Sequence, residues 1–120
     1  MNPARQSSIA SLALALLAIA CTDRNLGSAP VADKWLGKWN GPEGTFLQLA
    51  GGNGKYQVTI QNLDGPRTFQ GNAVADRLEF ERNGVKESVR ATHGVATGMK
   101  WLSEKSNCLT VRVGEGYCRD

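Results

Sequence analysis

Residues 77–91, Arg-Leu-Glu-Phe-Glu-Arg-Asn-Gly-Val-Lys-Glu-Ser-Val-Arg-Ala, decide the fold. Leu78 and Phe80 alternate with Arg77, Glu79 and Glu81, and Val85, Val89 and Ala91 alternate with Lys86, Ser88 and Arg90. A period of two puts one set on a dry face and the other in water, which is the signature of a strand. Asn83-Gly84 between the runs is the dipeptide of a two-residue type I′ turn, where both residues take positive φ. Residues 76–92 therefore read as a β-hairpin. Glu87 stands out, because it shares the parity of Val85 and Val89 and so points inward. A buried carboxylate must be paired or have its pKa raised. Arg67 and Arg112 are its candidate partners, and holding a ligand's polar group is its candidate function.

The same pattern extends outward. Tyr56, Val58 and Ile60 alternate with Gln57, Thr59 and Gln61. Gly51-Gly52-Asn53-Gly54 and Asp64-Gly65-Pro66 mark turns, and Pro66, which cannot donate to a ladder, starts a strand. Eight strands are expected, near 36–40, 44–50, 55–62, 67–74, 76–82, 85–92, 108–112 and 115–119. Short strands joined by tight turns predict an all-β fold, a small antiparallel up-and-down β-barrel, whose closure removes exposed edges. An open sheet or β-sandwich is the alternative. Thr97 to Lys105 breaks the alternation and predicts one short helix, with Thr97 as N-cap and Met99 and Leu102 packing inward. A further strand carrying Met99 and Trp101 on one face is the other reading.

The chain begins with a different kind of segment. Arg5 precedes a twelve-residue apolar run, Ile9 to Ala20, and then Cys21. A positive start, a short apolar run and small residues before a cut describe a secretory signal peptide. The run is shorter than the roughly 20 apolar residues that span a bilayer. Leu17-Ala18-Ile19-Ala20-Cys21 resembles the lipobox of bacterial lipoproteins. The resemblance implies a diacylglyceryl group on the Cys21 thiol and usually a further acyl chain, such as palmitate, on its amine. Thr22 rather than Asp follows the cysteine, so it also implies the outer membrane, with the domain facing the periplasm. The expected organisation is residues 1–20 as signal, 21–33 as lipidated cysteine and flexible tether, and 34–120 as a single domain.

Composition narrows the function. The chain has 14 basic residues, one of them Arg5 in the leader, against 11 acidic ones, and the charges are interspersed. That balance gives no argument for a nucleic-acid partner. Cys21 is committed to lipid, and Cys108 and Cys118 remain as a pair that an oxidising compartment would join. A three-residue loop at Arg112-Val113-Gly114 sets Cys108 opposite Cys118. A turn at Gly114-Glu115-Gly116 would hold them too far apart to bond. No third cysteine or nearby histidine completes a metal set, so neither metal nor cofactor is expected. His93, the one histidine, lies in a turn-like Thr92-His93-Gly94 without a nucleophile motif beside it, so no enzyme is expected.

Gly37-Lys38-Trp39 resembles the G-x-W of calycins, the superfamily of lipocalins and avidins. The resemblance implies a barrel closed at one end by Trp39, with Arg119 over it. Trp35 and Trp101 are the other large aromatics, candidates for core, for a lid or for a binding surface. The leading expectation is a lipid-anchored envelope protein without catalytic activity, a protein-interaction or inhibitor-type module meeting an envelope protein partner. Some lysozyme inhibitors are lipid-anchored barrels of similar size. The alternative is a carrier of a small apolar ligand.

Overall fold

The computed structural model describes residues 29–120. The expected signal peptide, Cys21 and the expected tether as far as Ser28 lie outside the described residues. Eight strands form a closed antiparallel barrel in sequence order: β1 (Gly37–Asn40), β2 (Phe46–Gly52), β3 (Lys55–Asn62), β4 (Gly65–Val74), β5 (Arg77–Arg82), β6 (Val85–Thr92), β7 (Cys108–Arg112) and β8 (Glu115–Cys118). The hairpin read from residues 76–92 is β5–β6, with Arg82 opposite Val85 and Asn83-Gly84 in the turn at φ 55° and 78°. Closure is narrow, since β1 meets β8 through the single pairing Asn40 to Cys118.

Alternation sorts the interior. Trp39, Leu47, Leu49, Tyr56, Val58, Ile60, Leu78, Phe80, Val89, Leu109 and Tyr117 are buried in one cluster. Gly71 gives these side chains room. A Cβ there would stand 2.9 Å from Val58 Cγ2 and 3.0 Å from Leu78 Cδ2. Cys108 and Cys118 have the opposite parity and pack outside the barrel wall with Leu102 and Met99. They are directly opposite in the β7–β8 ladder and form a disulfide. The register is the expected one, but the loop is not. A two-residue turn at Val113-Gly114 is combined with a bulge at Val111, which together supply the offset of the three-residue loop.

The short helix expected near 97–105 takes the form of two 3₁₀ turns, Gly94–Thr97 and Lys100–Leu102. Three details differ from expectation. Thr97 ends the first turn rather than starting a helix, because Gly98 follows it in the left-handed conformation, φ 71°, and stops the turn. Thr97 is buried, its hydroxyl donates to Gly94 O at 2.6 Å, and its carbonyl accepts from the Gly114 amide at 2.7 Å. Secondly, the stretch read as tether contributes packed residues at its end. A 3₁₀ turn at Val31–Trp35 buries Ala32 and Trp35, and Asp33 accepts hydrogen bonds from the Asn53 amide and the Tyr56 hydroxyl. Thirdly, the turn expected at Asp64-Gly65-Pro66 sits one residue earlier. Leu63-Asp64 makes it, Asn62 Oδ1 accepts the Asp64 amide at 2.8 Å, and β4 already starts at Gly65.

Candidate functional site

The barrel has two unlike ends. At the first, the Val31–Trp35 turn plugs the opening. Trp39 is 2% exposed, and its indole N–H donates to Trp35 O at 2.8 Å. The Arg119 guanidinium lies 3.9 Å from the centroid of the Trp39 ring and donates to Lys34 O and Leu36 O, each at 2.8 Å. Arg119 therefore clips the plug to the last strand while satisfying two carbonyls. Trp35, 6% exposed, packs in the core cluster beneath this seal. Asp33 sits here too. Burial and the Asp33 hydrogen bond push the Tyr56 hydroxyl pKa up.

At the other end the inward positions turn polar. Along β5 the parity runs Leu78, Phe80, Arg82; along β6 it runs Val89, Glu87; along β8 it runs Tyr117, Glu115. Arg82 and Glu115 end the inward rows of β5 and β8, only the exposed Val85 lies beyond Glu87 on β6, and these charges meet. Arg82 makes a bidentate pair with Glu115, Nη1 to Oε2 at 2.8 Å and Nη2 to Oε1 at 2.7 Å, and also donates to Glu87 Oε2 at 2.8 Å. Arg112 donates to the same Glu87 oxygen, and its Nε lies 3.9 Å from Glu115 Oε1. The bulge at Val111 lies immediately before Arg112 in this arrangement. Tyr117 Oη donates to Glu115 Oε2 at 3.1 Å.

Electrostatics favour the charged forms of Glu87 and Arg82. Burial pushes the Glu87 carboxyl up, but hydrogen bonds from Arg82 and Arg112 outweigh it and keep the pKa below the usual carboxylate value. Glu115, acting against desolvation, raises Arg82. Burial, with Glu115 beside it, raises the Tyr117 hydroxyl. Beneath the charges lies an aromatic floor. Phe69 and Phe80 meet at 5.3 Å between centroids, with Arg67 at 5.1 Å over the first and Arg82 at 5.7 Å over the second.

Two adjoining clefts open on this mouth. One, about 380 Å³, is lined by Asn62, Arg82, Met99, Arg112, Val113 and Tyr117 among others. The other, about 420 Å³, is lined by Asn62, Arg67, Arg82, Asn83, Glu87 and Arg112, with Val85. Glu87, although only 6% exposed, lines the second cleft. Its partners are Arg82 and Arg112; Arg67 bonds instead to Asn83 Oδ1 at 3.0 Å. Arg82 escapes a reading that stops at the hairpin's apolar residues, although its parity with Leu78 and Phe80 points to it.

Trp101 is elsewhere and is not core. It is 80% exposed on the outer loop, where it lines a separate cleft with Pro42 and Glu43. His93 is exposed, with Nδ1 at 3.1 Å from Ser106 O, and is remote from the mouth network. Among the described residues no group of three His, Cys, Asp or Glu side chains could hold a metal ion, and no helix among them is long and apolar enough to cross a membrane. Comparison with protein-family models, with curated proteins and with solved structures finds no match to this chain.

Proposed function

We propose that this protein is a small ligand-binding barrel without catalytic activity, a carrier that holds its ligand at the mouth. The carrying observation is the asymmetry of the ends. Arg119, Trp39 and the Val31–Trp35 turn plug one, while the other presents a charged, hydrogen-bonded wall beside two clefts of about 380 and 420 Å³. Clefts of that size with a few convergent polar groups are the usual form of a small-molecule site. The apolar half is occupied by the chain's own side chains, as a narrow barrel requires. The ligand therefore sits above the Phe69–Phe80 floor, not deep within. The Trp39–Arg119 stack supports kinship with calycin barrels, and the Cys21 motif supports lipid anchoring at the outer membrane.

Mass spectrometry of an organic extract of the purified full chain tests the carrier reading. A stoichiometric small molecule is expected, and a clean extract together with unshifted mouth resonances in a fragment titration would refute it. Acyl labelling with palmitate should disappear in Cys21→Ala. A protein-interaction role is the second reading, favoured by exposed Trp101. It expects one stoichiometric envelope protein captured by the wild type and lost with Trp101→Ala.

A further inference from the structure

We propose that the mouth selects an acidic group, and that its ligand is a small amphiphile whose polar end is sugar-like, one oxyanion flanked by hydroxyls. This rests on the ligand-binding reading above and adds the chemical class.

The argument is a charge count. Arg82 and Arg112 are matched by Glu87 and Glu115, which leaves the four-residue network neutral. Arg67 is the charge left over. Its guanidinium donates to the neutral Asn83 amide oxygen and lies over the Phe69 ring, and among the described residues no carboxylate pairs with it. The Arg112 side chain is 55% exposed, so part of its donor fork faces the same cleft. Two guanidinium groups around one cleft, with a net positive balance, recognise carboxylate or phosphate through charge-assisted hydrogen bonds.

The neutral lining adds the hydroxyls. Asn62 and Asn83 each use the amide oxygen within the protein, toward the Asp64 amide and Arg67. Their NH₂ groups are not used in those bonds, and both residues line the cleft. The adjoining cleft shares Asn62, Arg82 and Arg112 and brings Met99, Val113 and Tyr117, which suit an apolar substituent. The three shared lining residues join the two clefts, so a molecule with its acid in the Arg67 cleft would direct its apolar part toward the Met99 cleft.

The full chain is titrated with phenyl β-glucuronide, phenyl β-glucoside and inorganic phosphate, followed by NMR at the Met99 methyl, Tyr117 and the Arg67 and Arg112 side chains. The glucuronide should shift both clefts and bind at least about tenfold more tightly than the glucoside, the scale of one charge-assisted hydrogen bond. Arg67→Gln, which can keep the contact to Asn83 and lies outside the neutral network, should remove that preference. Equal affinity for glucuronide and glucoside, or a preference intact in Arg67→Gln, overturns the acid-selective inference and leaves the carrier reading standing. Phosphate binding as tightly as the glucuronide overturns it also, since the oxyanion alone would suffice. A glucuronide that moves neither cleft overturns it as well, whereas the carrier reading falls only if extraction of the purified protein is also empty.

Discussion

The Arg119 guanidinium lies 3.9 Å from the Trp39 ring centroid while bonding the carbonyls of Lys34 and Leu36, so one side chain joins the last strand, the first strand and the plug. A cation over a partly desolvated indole is worth about 0.5–2 kcal/mol. Hydrogen bonds from a charged donor add to it. Arg119→Gln should therefore lower unfolding stability by about 1–3 kcal/mol, read from the urea midpoint. Trp39→Ala, which empties a buried site, should cost about 3–5 kcal/mol. An Arg119→Gln midpoint equal to wild type would show that the stack contributes nothing.

Glu87 makes stability depend on acid. Its folded pKa lies below the ordinary carboxylate value, because Arg82 and Arg112 overcome burial. A depressed folded pKa means that the unfolded chain binds the proton more readily. The contribution is thus complete above the unfolded pKa, about 4.3 for glutamate, and is lost as pH falls through the lower folded value. Urea midpoints should decline below about pH 4.5. In Glu87→Gln that decline should be shallower, from a stability already about 1–3 kcal/mol lower at pH 7. An unchanged acid slope would remove Glu87 from the account.

The disulfide closes a short loop between Cys108 and Cys118, a sequence separation of 10. Restricting the unfolded chain in this way contributes roughly 2–4 kcal/mol. Cys108→Ser with Cys118→Ser should lose about that much, with a lower midpoint and an unchanged barrel spectrum in circular dichroism. Loss of all strand signal at room temperature would show that the staple is needed for the fold itself.

Ala75 takes φ 54° in the β4–β5 turn, a conformation that costs an alanine roughly 1 kcal/mol or more. Ala75→Gly should raise the midpoint slightly, by about 0.5–1 kcal/mol after the extra chain entropy is subtracted. A destabilised Ala75→Gly would mean that the methyl group packs usefully.

Much of this architecture was legible because parity is a local property. Leu78 and Phe80, or Val58 and Ile60, announce a wet and a dry face without knowledge of any partner strand. The Cys108 register followed from two independent demands, turn chemistry and a feasible sulfur bridge. The helical character near 97–105 was legible, but the place of Thr97 was not, because it is set by the hairpin beneath, whose Gly114 amide donates to its carbonyl. For Trp101 core, lid and surface were all readable, because nothing in its neighbours reveals that the loop faces outward. The mouth was half visible. Glu87 was conspicuous by parity and Arg82 lies in the same hairpin, but the contact from Arg112 depends on the Val111 bulge in β7, which the hairpin sequence does not show.

Pro30 packs near Gly54, beside the plug, while the β3–β4 and β5–β6 turns stand at the far end of the strands. The polypeptide thus enters the barrel from behind. The first described residues lie at the sealed base, and the charged rim faces the opposite way along the barrel axis.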